Sequence, residues 1–297
     1  MNEYLTKCFD IYVSQIGQNL SDSTILNKYY YSRCYLESLG DSFDSFDHYD
    51  ISYVYSYIDD LNFASQTKSG VKFTLREFFN VMYRNGITHF DGRQIFPVIF
   101  TNKRDRIPSY YEPEEIRKII QIIDLSKVNG VRDKCMILLA AQTGLRTSDI
   151  TCLRFGEILW DKNMIQKTQQ KTKLSISVPL PLNIKFLLID YIKNHRPCSN
   201  EDFVFICEKT HKHYCNSQLY SILNSYIKKS DVMVGNRKHG SHALRHSLAT
   251  NLLKENTPMP VITGLLGHKN INTTSRYLAI DIESLRSLCL EVDPYEK

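Results

Sequence analysis

Thr143-Gly144-Leu145-Arg146-Thr147-Ser148-Asp149 is the stretch on which the reading of this chain turns. An apolar run, Val131 to Gln142, precedes it with the character of a buried helix, and Gly144 is the residue type that stops one. Thr147-Ser148-Asp149 then offers a cap-like start to a second helix. Arg146 therefore stands at a junction, where a guanidinium can point off both helices. Asp149 is placed to reach back and hold that guanidinium in one orientation. A structural Arg–Asp pair at a helix end gives the same pattern, so this segment alone assigns no chemistry.

Downstream, Ile165 to Leu182 changes period. Polar Gln169-Gln170-Lys171-Thr172-Lys173 leads into alternating Leu174-Ser175-Ile176-Ser177-Val178 and then Pro179, which predicts a β-hairpin. If the alternation continued, Lys171 and Lys173 would share one face. Helices are expected at about 182–194 and 218–229. A further helix begins at Ser241, in Ser241-His242-Ala243-Leu244-Arg245-His246. His242 and Arg245, three apart, lie on one face, with Leu244, Leu248 and Leu252 as the opposite, buried stripe. Pro258 breaks this helix, and Pro260 opens a short one that Gly267 ends. His268 then sits just past a helix C-terminus, and Asn272-Thr273-Thr274 caps the helix that carries Tyr277.

The chain has 297 residues, enough for two domains. Hydrophobic residues make up 42% and charged residues 23%, values that fit a folded protein with a real core. No apolar run approaches the ~18–20 residues of a membrane span, and the N-terminus lacks the pattern of a signal peptide. An intracellular, cytoplasmic protein is expected. Scattered cysteines, eight in all, suit reduced thiols. Cys207, His211, His213 and Cys215 follow a spacing that is not among the common structural zinc patterns, so a polar hairpin or loop is expected there and no metal.

Net charge is +5 but uneven. Residues 1–101 carry 8 basic and 12 acidic side chains, and residues 102–297 carry 29 and 20. The basic C-terminal part suits a polyanion partner, and a solvated basic surface is the plainer alternative. Residues 1–101 read as helices: one from Ser21-Asp22-Ser23 to Leu39, and others at about 53–61 and 72–84. Residues 102–110, with Lys103, Arg104 and Arg106 before Pro108, read as a basic linker able to follow a phosphate backbone. Residues 111–297 form the second domain, opening on a helix with Pro113 in its first turn. Lys228, Lys229, Arg237 and Lys238 are further candidates for backbone contact. The expected fold is mainly α: a helical N-terminal domain, then a mixed α+β domain with a small antiparallel sheet.

Taken together, these motifs resemble the tyrosine recombinases, or phage integrase family. Members carry Arg, Lys, His-x-x-Arg, Gly-His and a nucleophilic Tyr in this order, matched here by Arg146, Lys171, His242 with Arg245, His268 and Tyr277. Lys173 is the alternative lysine, Lys167 a weaker one, and many members have Glu where Asp149 stands. The hairpin is similar to that of recombinases from Bacteroides-type mobile elements. The resemblance implies a site-specific DNA recombinase that works without metal or ATP, through attack by Tyr277 and a 3′-phosphotyrosine. Arg146 and Arg245 would clamp the phosphate, and Lys171 would protonate the leaving 5′-oxygen. His242 would act as base or orienter, and His268 as a donor to phosphate. It further implies a core-binding role for residues 1–101 and double-stranded DNA at a specific site as partner. A tetramer on that DNA, a C-terminal helix at about 282–292 exchanged between protomers, and accessory DNA-bending or directionality proteins would complete the picture. Association with the nucleoid would follow, and no arm-binding domain is expected ahead of the helical domain. A type IB topoisomerase and a non-catalytic DNA-binding relative are the competing readings.

Overall fold

The computed structural model describes residues 1–17, 20–97, 109–235, 237–268 and 274. Tyr277, the helix expected at 282–292, and Lys103, Arg104 and Arg106 lie outside the described residues. The chain divides into two compact units, Met1–Lys103 and Arg104–Lys297. Among the described residues, no helix is long and apolar enough to cross a membrane.

The first unit holds helices α1 (Glu3–Gln15), α2 (Asp22–Ser38), α3 (Ser52–Asp60), α4 (Ser65–Arg84) and the short α5 (Gly92–Ile95). Ser21 stands at the N-cap of α2, and Gly40 follows its end with φ +80°. Helix α4 begins seven residues before the expected Lys72, because its first turns are polar and contain Gly70, which masks the helical period. The core is aromatic: Tyr12, Tyr35, Phe46, Phe78 and Phe79 are fully buried and meet mostly edge to face. Of the tyrosine run, Tyr35 is core and Tyr30 is exposed.

The second unit surrounds a three-stranded antiparallel sheet in the order β1-β2-β3: Ile158–Leu159, Met164–Thr168 and Ser175–Pro179. Ile165 pairs with Val178 and Lys167 with Ile176, so Ile165, Ile176 and Val178 share the buried face. Helices α6 (Pro113–Gln121), α7 (Gly130–Leu138), α8 (Thr147–Thr151), α9 (Leu182–Asp190), α10 (Asn216–Lys229), α11 (Ser241–Lys254) and α12 (Met259–Leu266) pack about it. Glu112 and Glu115 form a capping box at α6, with Pro113 in the first turn. A π turn over Leu139–Thr143 continues α7 to Gly144 and lies along α11. The mainly helical fold with its small antiparallel sheet is as expected.

Two expectations need correction. Helix α11 does not bury a leucine stripe and expose its other side. It is enclosed on most faces, with Ala243, Leu244, Arg245, Ser247, Ala249, Thr250 and Leu253 all buried, while Leu248 and Leu252 are only half-buried. Its small residues let neighbouring elements approach closely, which carries Arg245 into the interior. Lys171 and Lys173 do not alternate on a strand, because β2 ends at Thr168 and β3 begins at Ser175. Both lie in the connecting loop, where Gln169 N–H donates to Leu174 O and Lys173 N–H to Gln169 O, and Lys173 adopts a left-handed φ of +57°.

Candidate active site

Three chain breaks build the site. The first is the left-handed turn at Gly144, φ +65°, which ends the π turn and lets the chain re-enter a helix three residues later. A Cβ there would come within 2.9 Å of Leu248 and Leu266, so glycine serves both the conformation and the packing. Arg146 is then the N-cap of α8. The second break is Gly240, φ +116°, directly ahead of α11, which launches His242 and Arg245. The third is Gly267, φ +59°, which ends α12 before His268.

These breaks aim helix C-termini at the arginines. Arg245 is buried, and its two terminal nitrogens donate to the carbonyls of Gly144 and Leu266. Arg146 donates through Nη2 to Gly267 O at 3.3 Å and through Nη1 to the side-chain oxygen of Gln169. Backbone carbonyls at helix C-termini carry partial negative charge, so they hold the guanidinium groups while leaving the site cationic overall.

Gln169, absent from the expected residue set, is fully buried. Its Nε2 donates to Leu266 O at 3.1 Å, and its Oε1 also accepts from Thr172 Oγ1 at 2.6 Å. A Cβ on Gly267 would fall 2.6 Å and 2.7 Å from this amide, so the glycine before His268 is what lets the amide seat. The inward phase of β2, Ile165 and Lys167, continues to Gln169. That parity is the sequence signal that finds it.

Asp149 is buried, but it does not hold the Arg146 guanidinium as expected. Its Oδ1 accepts the Gln170 N–H at 3.0 Å and so ties α8 to the lysine loop, while Oδ2 has no hydrogen-bond partner. Burial pushes its carboxyl above the ordinary range, against the Gln170 bond and the nearby charges of Arg146, Lys167 and Arg245. Lys167 is buried against Glu157, at 2.7 Å, and Cys152 O, at 2.9 Å, so its charge is used inside the fold.

Lys171 is exposed in its loop, near enough to His242 for its charge to be felt there. The pKa of His242 is lowered by loss of surrounding water and then by the like charges of Arg245, Lys171 and Arg146. His268 falls to about 4, through burial first and then Arg245, Arg146 and His246. His268 therefore favours the neutral form near pH 7. Thr274 Oγ1 lies 2.9 Å from both His268 Nδ1 and Thr263 Oγ1, whose hydroxyl also reaches Met259 O at 2.8 Å. This chain of hydroxyls holds the His268 ring in place. The structure thus brings Arg146, Lys171, His242, Arg245 and His268 together.

Of the expected backbone-contact residues, Lys228, Lys229 and Lys238 are exposed. Arg237 is different. It pairs in two-pronged fashion with Glu115, at 2.6 and 3.0 Å, and donates to Tyr110 O and Met233 O. Its guanidinium pins the start of α6, which removes it from the candidate phosphate ligands.

Two arginines, a lysine and two histidines on a helical scaffold with a small sheet form a cluster whose charge and donors suit an anion. Residues 110–283 match the model of the phage integrase family, and the chain belongs to that family. It is 31% identical over 209 residues to a tyrosine recombinase of Pseudothermotoga lettingae, covering 70% of this chain and 68% of the relative. It is 26% identical over 203 residues to the tyrosine recombinase XerC of Staphylococcus epidermidis, covering 67% of each. The chain spans 52% and 54% of the length of two Sinorhizobium fredii integrase/recombinase relatives. In fold it is similar to the XerH site-specific recombinase bound to a palindromic difH substrate, with TM-score 0.75 and 15% identity, covering 96% of this chain and 94% of that one. It is likewise similar to a lambda integrase dimer bound to a core site, with TM-score 0.69 and 18% identity, covering 92% and 94%.

Proposed function

We propose that this protein is a site-specific DNA recombinase that cleaves and rejoins DNA through a 3′-phosphotyrosine on Tyr277. The observation that carries this reading is the convergence of Arg146 and Arg245 with Lys171, His242 and His268, in a chain of the phage integrase family. Relatives named as tyrosine recombinases and similar folds solved on DNA support it.

In the forward step the Tyr277 oxygen forms a bond to phosphorus, and the bond from phosphorus to the 5′-oxygen breaks. His242 accepts or orients the tyrosine proton, and Lys171 gives a proton to the departing 5′-oxygen. Arg146, Arg245 and a ring N–H of His268 neutralise the non-bridging oxygens, where charge builds in the transition state. The ester energy is kept in the phosphotyrosine, so the 5′-hydroxyl can attack it and reseal the strand without ATP. Residues 1–101 and residues 111–297 each contribute DNA contacts in this reading, with Lys228, Lys229 and Lys238 on the phosphate backbone. Assembly as a tetramer on paired sites, help from accessory DNA-bending or directionality proteins, and a place on the nucleoid belong to the same proposal.

Tyr277→Phe is expected to bind DNA as the wild type does and to form no covalent adduct. A suicide substrate, nicked so that the released end diffuses away, traps the adduct for gel analysis. An adduct on the Phe variant would show that another residue is the nucleophile. Steady relaxation of a supercoiled plasmid that lacks any recombination site would instead favour a type IB topoisomerase.

A further inference from the structure

We infer that Gln169 is a positioning residue that sets the Arg146 guanidinium and the Lys171 loop together against the end of α12. This rests on the catalytic reading proposed above. The buried amide makes three connections at once. Its oxygen accepts from Arg146 Nη1 and from Thr172 Oγ1, next to Lys171, and its nitrogen donates to Leu266 O, which also receives Arg245. The loop turns back on the same residue, since Gln169 N–H donates to Leu174 O and Gln169 O accepts from Lys173 N–H.

An amide suits this position because it must accept and donate along fixed directions. Glutamate would keep the contact to Arg146 but would face Leu266 O with a second acceptor. Alanine would remove every side-chain contact. The geometry leaves little slack, since Ile176 and the amide both crowd Gly267. Gln169 itself is buried beneath Arg146 and acts through the groups it holds.

The test uses the full chain with Gln169→Ala and Gln169→Glu. It measures DNA affinity, melting temperature and the single-turnover rate of adduct formation on two suicide substrates. One substrate has the ordinary 5′-oxygen at the scissile phosphate. The other has sulfur there, a leaving group that departs without being protonated. On the oxygen substrate the rate is expected to fall about 10–100-fold, the usual range for a group that orients a catalytic one. DNA affinity should stay within about twofold. For Gln169→Ala on the sulfur substrate part of the loss should return, because the displaced Lys171 no longer matters, and part should remain, because Arg146 is still misplaced. Wild-type rates in both variants would overturn the inference, as would full recovery or no recovery on sulfur, since Gln169 would then serve at most one partner. So would a rate loss matched by equal losses of affinity and melting temperature. If the wild-type chain itself formed no adduct, the catalytic reading would fall, and this inference with it. An active wild type beside two equally active variants would sink the inference alone.

Discussion

Three lysines within seven positions are separated by their surroundings. Lys167 is spent on Glu157, Lys173 occupies a left-handed turn position, and Lys171 acts on His242. Lys171→Ala is therefore expected to lose adduct formation by about a hundredfold or more on an ordinary phosphodiester, in line with general-acid catalysis. It should recover most of that loss on a substrate with a sulfur leaving group. Lys173→Gly should cleave at close to the wild-type rate and raise the melting temperature, because it relieves roughly 1 kcal/mol of left-handed strain. Single-turnover cleavage of both substrates and a thermal melt check the pair. The resemblance made Lys171 the leading choice, and continued strand alternation would have put Lys171 and Lys173 on one face. That alternation fails because the strands stop short of the loop. The same parity, counted forward from Ile165 and Lys167, does hold and places Gln169 inward. What the letters could not show is that an amide, not Asp149, steadies Arg146.

At the scale of the element, the short helix α12 matters more than its length suggests. Its last turn supplies Leu266 O to Arg245 and Gln169, and Gly267 O to Arg146. Gly267→Ala is expected to place a methyl group into the Gln169 amide and Ile176 and to strain the left-handed backbone, which costs about 1–2 kcal/mol from conformation alone. The melting temperature should drop by several degrees and adduct yield should fall at least tenfold, both measurable on one preparation. The start of this helix was legible from Pro258 and Pro260, and its stop from Gly267. The closed character of α11 was not, because a leucine stripe reads as a surface helix, whereas Ala243, Ser247, Ala249 and Thr250 are buried for their small size.

For the whole molecule, acid should be the weak side. His242 and His268 both bind a proton less readily in the folded chain than the ordinary value near 6.5. Below that pH the unfolded chain takes up more protons than the folded one, so stability declines as pH drops through 6.5, and the His268 share is fully lost near pH 4. Denaturant midpoints between pH 7.5 and 4.5 check this, and His268→Asn should flatten the slope. A slope left unchanged by His268→Asn would show that this imidazole does not set the acid side. The layout into two units and the basic bias of residues 102–297 follow from length and charge, and the hairpin from its period. Arg237 shows the limit of charge counting. A basic letter beside Lys238 looked like a DNA contact, while its bond to Glu115 lies 122 residues away in sequence.

The carbonyl of Leu266 is a shared stop for two segments of the second unit. Arg245 rests on it directly and Arg146 through one amide, so the two guanidinium groups have a reference point in common. Helix α11, the hairpin and the Gly267 turn meet at this carbonyl. A chimera that transplants one of the three inherits two arginines adjusted to a reference point it no longer contains.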